Sequence, residues 1–426
     1  MRLNNNIIKG TFNNLIFMNY IDLFAGAGGL SEGFVRSGFT SIAHLEMDEH
    51  ACDTLKTRIA YHYLKANKQL DIYNNYLQEK ITKEELYSAI PQEELGTVIC
   101  DKIGSSTIEA IFEKINDLKK NKKIDLIIGG PPCQAYSLVG RSRDSNRMKY
   151  DNRNCLFKYY ADFLKKYKPE YFVFENVTGL LTAGNYFEQM KTLFESKEVG
   201  YSISSQVLDA MEYGVLQKRK RVIVIGRRGN NKFEFPELEK TVNKWKIKSD
   251  LFADLPALKP GGGEKIMHYK TGSTNYLEKF EIRNGVEFVT QHVTRPHNER
   301  DLSIYRIAIQ KWLLNGERLK YPDLPENLKT HKNQKSFLDR FKVVDPDGCS
   351  HTVVAHISKD GHYYIYPDLE QIRSLSIREA ARIQSFPDDY YFEGGRSAAF
   401  RQIGNAVPPL MAKSIAVSIK KLLSNK

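Results

Sequence analysis

The chain has 426 residues, with 63 Lys and Arg against 51 Asp and Glu and a formal charge of +12. That length accommodates two or three domains around a large core, without disulfide or metal staples. The charge favours a polyanionic partner, either nucleic acid or an acidic membrane surface. Its 41% hydrophobic and 27% charged residues mark a globular chain and not a disordered one. The five cysteines are odd in number and include no CxxC pair, which argues against a disulfide framework and a zinc ribbon. No apolar run reaches membrane-spanning length, and the opening MRLNNNIIKGTFNN lacks the apolar block and cleavage site of a signal peptide. A soluble, cytoplasmic protein is expected.

The first 17 residues are polar and Asn-rich and predict a short extension. From Tyr20 onward, short apolar runs predict strands at Tyr20–Phe24, Ser41–Glu46, Thr97–Cys100, Ile124–Ile128, Tyr171–Phe174, Ser202–Leu208 and Arg221–Ile225. Helical patterns lie between several of them, as at Cys155–Tyr167. This alternation predicts an α/β fold with a doubly wound, mostly parallel sheet. Residues 56–123 are too long for one helix and carry Pro91 and the Lys119–Lys123 charge run, so they read as a helical insertion. Near 230 the alternation stops, and Leu255–Gly263 is rich in turn residues. His351–His356 and His362–Tyr366 predict two strands joined by the turn Ser358–Gly361. Ser376-Ile-Arg-Glu is a capping box opening a helix that Phe386-Pro387 ends, and Ala412–Leu423 predicts a closing helix.

The segment from Tyr20 to Phe34, YIDLFAGAGGLSEGF, reads as strand, glycine turn and helix. Gly26, Gly28 and Gly29 allow a tight turn and close approach to a ligand, and Glu46 at the end of the second strand is placed to accept from a ribose. Ser31 breaks the GxGxxG pattern, which weakens a dinucleotide reading; a purely structural turn stays open at this point. The next strand end carries GGPPCQAYS, where two prolines bring Cys133 to the sheet rim beside the loop Leu138–Arg153. Five Arg or Lys in that loop favour the thiolate, and an aimed nucleophile suits the position better than a core filler. Glu175 follows an apolar strand, where burial raises a carboxyl pKa toward acid–base work, although a helix-capping carboxylate would look the same. Gln217-Lys-Arg-Lys-Arg221 is a basic strip before another strand, and Arg401–Pro409 offers a Gly-Asn turn.

Together these segments resemble the DNA (cytosine-5) methyltransferases of the bacterial modification type. The resemblance spans 19–228 and 373–417 and rests on DLFAGAGG, GGPPCQAYS, FENV, QKRKR, IREAARIQSFPDDY and QIGNAVPP in the family's order. It implies a Rossmann-like, S-adenosylmethionine-dependent methyltransferase fold. Residues 1–230 would form the catalytic and cofactor-binding domain, with the insertion at about 56–123, and 231–372 a smaller, partly β target-recognition domain. The connecting helix region would be 373–400, and 401–426 would return to the catalytic domain. For S-adenosylmethionine the resemblance implies Phe24, Gly26, Gly28, Leu30, Glu46, Met47, Asp101, Pro132, Leu156, Asn405 and Val407. Among these, Glu46 matches the ribose carboxylate and Asp101 the reader of the adenine amino group.

The same resemblance implies the chemistry. Carbon 5 of cytosine is a weak nucleophile, and addition of a thiolate at carbon 6 activates it. Cys133 matches that thiol, Glu175 the group at ring nitrogen 3, Arg221 the arginine near the base and Arg219 its support. The target base must be flipped out of the duplex. Gln134, Ser137, Arg141, Arg143 and Arg153 are then the expected DNA contacts near the thiol, with Arg340 and Thr352 as candidates in 231–372. No metal is expected, since none of the ten histidines shows HxxxH or HxH spacing. The expected partner is double-stranded DNA, with a cognate restriction endonuclease as a further possibility, no membrane, and a monomeric enzyme. An RNA (tRNA) cytosine-5 methyltransferase and a catalytically silent DNA-binding regulator are the alternatives; a nicotinamide dehydrogenase fits least.

Overall fold

A computed structural model of the chain describes residues 18–132, 156–182, 184–242, 244–330 and 338–425. Strands run at β1 (Met18–Leu23), β2 (Phe39–Glu46), β3 (Val98–Cys100), β4 (Leu126–Gly129), β5 (Tyr171–Val177), β6 (Tyr201–Asp209) and β7 (Lys220–Arg228). They form one seven-stranded sheet in the order β3-β2-β1-β4-β5-β7-β6. All pairings are parallel except those of β7, which runs antiparallel to both β5 and β6. Every strand expected between Tyr20 and Ile225 is present, displaced by a few residues at most.

The sheet is doubly wound because successive strand residues are apolar on both faces. Tyr20, Ile128, Val173, Ile223 and Ile225 face one core, shared with Phe34 of helix α1 (Gly29–Val35) and with Ile415 and Ile419 of the closing helix Pro409–Ser424. Their neighbours Ile21, Ile127, Phe172, Val222 and Val224 face the other. That second core packs against helices Ile108–Lys119, Leu156–Tyr167 and Tyr186–Phe194. Strand order reverses direction between β1 and β4, which opens a crevice at the carboxyl ends of those strands.

Between β2 and β3 lie helix α2 (Glu49–Ala66) and three shorter helices, which build a small core of their own around Tyr61, Leu64, Tyr73 and Leu77. The stretch from 56 to 123 is thus helical in large part, yet it also supplies the edge strand β3 and a sheet-covering helix. Beyond 230, the described residues contain a two-stranded antiparallel sheet, β8 (Ile266–His268) with β9 (Phe288–Thr290). A separate cluster forms around Tyr305, Ile309, Tyr321, Phe341 and Ile365.

The two strands expected at His351–His356 and His362–Tyr366 do not form; Ala355–Ser358 is a 3-10 turn instead. Around Ile365 the backbone makes only isolated bridges, to Val343 and Ser374, and the amides of Val353 and Val354 bond to side chains in place of a neighbouring strand. Val353 N–H donates to Gln217 Oε1 at 2.8 Å, and Val354 N–H donates to the Tyr364 hydroxyl at 3.0 Å. The expected capping box does form: Ser376 Oγ accepts from Glu379 N, and Glu379 Oε2 accepts from Ser376 N at 2.8 Å. Ser376 is fully buried and also bonds His292 Nδ1 at 2.9 Å. Ser376→Ala is therefore expected to cost about 1–2 kcal/mol in a urea titration.

Candidate active site

Leaving β1, the chain makes the glycine turn through left-handed conformations at Phe24 (φ 58°), Gly26 (φ 55°) and Gly28 (φ 78°). At Gly26 a side chain would meet nothing within 4 Å, so this face of the turn is open. At Gly28 a Cβ would lie 2.8 Å from Leu55 Cδ2 and 2.9 Å from the Tyr390 hydroxyl, so only glycine fits. Phe24 takes the same backbone region without that freedom, a strain held at the mouth of the crevice. A Cβ on Gly29 would lie 2.3 Å from the Val407 carbonyl, which places the C-terminal strip directly over the start of α1. Val407 and Leu30 are buried there, while Asn405 is exposed.

Glu46 closes β2 beside this turn. Its Oε2 accepts from Gly26 N at 2.8 Å, and its Oε1 accepts from Met47 N at 2.8 Å and Asp48 N at 2.9 Å. A carboxylate offers about four lone-pair positions. Three are used, which leaves acceptor capacity for a ribose hydroxyl. Met47 is 61% exposed, an apolar side chain left at the rim of the crevice. Asp101 follows β3 and is tied to the same place, its N–H donating to the Glu46 carbonyl at 2.9 Å. An open glycine turn, an unsaturated carboxylate and an exposed apolar flank fit a nucleoside.

On the other side of the crevice, β4 runs into Gly130-Pro131-Pro132. A Cβ on Gly130 would sit 2.5 Å from Glu175 Oε2, so the absence of a side chain lets this turn lie on the carboxylate. Asn176 Nδ2 donates to the Pro131 carbonyl at 3.2 Å and fixes the turn to β5. Pro132 and Leu156 come together at one small apolar pocket, with Phe157 and Phe174. Cys133, the residue after Pro132, lies outside the described residues, as do Gln134, Ser137, Arg141, Arg143 and Arg153.

Glu175 and Arg221 sit diagonally on one face of the antiparallel β5–β7 pair, where Val177 opposes Arg221 and Glu175 opposes Ile223. Arg221 Nε is 2.9 Å from Glu175 Oε1, and both side chains are nearly buried. Burial pushes the Glu175 carboxyl up; Arg221 and Arg219 pull it back, and burial prevails, leaving it above the ordinary carboxylate range. The result is an oriented carboxyl able to carry a proton at the sheet rim.

Arg219 is fully buried, and its guanidinium donates to the carbonyls of Val353 at 2.6 Å, Gly404 at 3.2 Å and Ala406 at 2.8 Å. It joins the segment after 350 to the strip that covers α1. Thr352 belongs to the same seam, its hydroxyl donating to the Lys218 carbonyl at 2.6 Å. Arg340 lies instead in the separate cluster, over the Tyr321 ring at 4.1 Å. The structure thus gathers Phe24, Gly26, Gly28, Glu46, Met47, Asp101 and Val407 on one side of the crevice, and Pro132, Glu175 and Arg221 on the other. Sequence reasoning missed Tyr390, which reaches the glycine turn from FPDDY; its only signal was its place in that motif.

The family model for C-5 cytosine-specific DNA methylases matches residues 18–86 and 85–421. The type II methyltransferase M.Bpa9945I of Bacillus paralicheniformis is 43% identical, over 96% of this chain and 99% of its own. M1.HphI of Haemophilus parahaemolyticus, also a type II methyltransferase, is 30% identical over 96% and 88%. Among solved structures, a prophage-encoded E. coli protein superposes with a TM-score of 0.59 at 22% identity, covering 96% of this chain and 99% of that one. The Entamoeba histolytica methyltransferase EhMeth does so at 0.52 and 16%, covering 96% and 98%. The chain belongs to the C-5 cytosine-specific DNA methylases, enzymes that methylate carbon 5 of cytosine in DNA with S-adenosylmethionine as methyl donor.

Proposed function

We propose that the chain is the modification methyltransferase of a restriction–modification system, acting in the cytoplasm as a monomer on one short duplex sequence, with Cys133 as nucleophile and Glu175 as proton donor. The observation that carries the assignment of roles is the Glu175–Arg221 pair packed against the Gly130–Pro132 turn, one residue before Cys133. The Cys133 thiolate adds to carbon 6 of a flipped-out cytosine, and electron density shifts through the ring toward nitrogen 3. Glu175, whose carboxyl burial pushes up against the pull of Arg221 and Arg219, donates a proton there, and Arg221 fixes its orientation. Carbon 5 is then nucleophilic. S-adenosylmethionine supplies the methyl group when bound at the Phe24–Gly28 turn. Loss of the carbon 5 proton to water, expulsion of the Cys133 sulfur as thiolate and return of the nitrogen 3 proton to Glu175 release 5-methylcytosine.

On this reading Glu46, Met47, Asp101, Leu30, Pro132, Leu156, Asn405 and Val407 hold the cofactor. The clearest test is Glu46→Ala, which removes the one side chain bonded to the glycine turn from the β2 side. S-adenosylmethionine binding measured by calorimetry should weaken about ten-fold or more. Binding at wild-type strength would place the cofactor elsewhere.

Arg141, Arg143 and Arg153 would meet phosphates and Gln134 and Ser137 the target, with 231–372, including Arg340 and Thr352, reading the sequence. Such phosphate contacts release counterions, so the logarithm of duplex affinity should fall linearly with the logarithm of salt, with a slope near −0.9 per contact. A flat salt response in an anisotropy titration would remove these contacts from the account.

A further inference from the structure

The glycine turn is held from two sides. From β2, Glu46 Oε2 takes the Gly26 N–H at 2.8 Å. From the opposite side, the buried Tyr390 hydroxyl donates to the Ala27 carbonyl. The turn needs such anchors, because Phe24 lies in the left-handed region that a non-glycine residue visits rarely, and Gly26 and Gly28, free to adopt it, are equally free to leave it. Tyr390 itself is set by a buried ion cluster. Arg58 of α2 donates to Glu32 Oε2 at 2.9 Å through Nε, to Glu32 Oε1 at 2.6 Å through Nη2, and to Asp389 Oδ1 at 2.8 Å through Nη1. Its guanidinium also lies over the Tyr390 ring, 4.7 Å from the centroid. Burial alone would push the Glu32 carboxyl up, but Arg58 and His62 hold it well below the usual carboxylate range, so the cluster keeps its charges. Arg58 therefore connects α1, which begins at the turn, to the residue preceding Tyr390. It comes from the helical stretch to which the sequence assigns no task.

We infer that Tyr390 is a positioning residue for S-adenosylmethionine, holding the Ala27 carbonyl so that the Gly26–Gly28 turn keeps its binding conformation, and that Arg58 of the inserted helices fixes Tyr390 in place. The inference rests on the glycine turn being the cofactor seat. Neither side chain touches the cofactor on this account; each acts through the turn.

The test is Tyr390→Phe, which keeps the ring and its packing and removes only the bond to Ala27. Calorimetric titration with S-adenosylmethionine should show binding weakened about five- to twenty-fold. Duplex affinity should stay within about two-fold of wild type, and KM for S-adenosylmethionine should rise while kcat at saturation holds. Arg58→Lys, which loses the paired contact to Glu32, should shift the same binding constant in the same direction and serves if the first variant does not fold. Unchanged cofactor binding in both variants would overturn the inference, and so would an equal loss of cofactor and duplex affinity, the mark of general loosening. Glu46→Ala separates the two levels. If it loses cofactor binding while Tyr390→Phe does not, the seat stands and only the positioning role falls. If Glu46→Ala also binds normally, both fall.

Discussion

Replacing Glu175 by glutamine is expected to slow methyl transfer in a single turnover by about 10²–10⁴-fold, the usual worth of a placed general acid. Affinity for duplex DNA should change little. The side chains are nearly isosteric, so the turn at Gly130–Pro132 and the neighbouring Arg221 keep their places. What is lost is the proton, needed only as charge builds on the cytosine ring, and an interaction made only in the transition state appears in kcat and not in binding. Arg221→Ala should also slow the reaction. It removes the 2.9 Å contact that orients Glu175, and with it one of the two charges that oppose the upward push of burial. A Glu175→Gln enzyme that loses rate and DNA affinity equally would assign Glu175 to binding and leave the proton without a donor.

The second large effect concerns stability. Arg382 lies fully buried between two carboxylates that are themselves fully buried. It donates to Asp254 at 2.6 and 3.1 Å, to Asp388 at 2.9 and 2.6 Å, and to the Leu251 carbonyl at 2.6 Å. These contacts tie the region beyond 230 to the helix Ile377–Ile383 and the loop after it. Arg382→Met would leave two carboxylates in a low dielectric without their common partner, at about 3–5 kcal/mol of unfolding free energy. Adding Asp254→Asn and Asp388→Asn should recover part of the loss, since the penalty lies in carboxylates left with only the longer ionic contacts of Arg283 at 3.4 Å and Arg378 at 3.9 Å. Burial raises the Asp388 carboxyl, but Arg382 outweighs it and holds the value below the ordinary range. Its contribution is therefore complete above the unfolded aspartate value of about 3.9 and is lost as pH falls through the lower folded value. Urea midpoints of the single and triple variants would check the first expectation. If the single variant is as stable as wild type, the cluster is not a fastening.

Much of this was legible in the residues. The seven strands alternate apolar runs with helical stretches, a local pattern that survives folding because both sheet faces are covered. The glycine turn, Glu46, Glu175 and Arg221 are strand-end residues, and an open α/β sheet places strand ends at its crevice. What sequence could not show is long-range partnership. The segment 351–356 has the composition of a strand, yet its main chain is taken by Gln217 and Tyr364, distant residues whose approach no local pattern announces. Arg219 reads as one of several basic residues, whereas its three carbonyl partners make it a buried joint. Arg378 and Arg382 of the helix after Ser376 are wholly buried, and their partners lie in segments no local pattern brings together.

The most direct test of the account is bisulfite sequencing of the genome of a host without cytosine methylation, expressing either the wild-type chain or Cys133→Ser. The account predicts protected cytosines within one short recurring sequence in the wild-type host and none with the variant. Protection that persists with Cys133→Ser, or no protection despite soluble protein that binds S-adenosylmethionine, would contradict it.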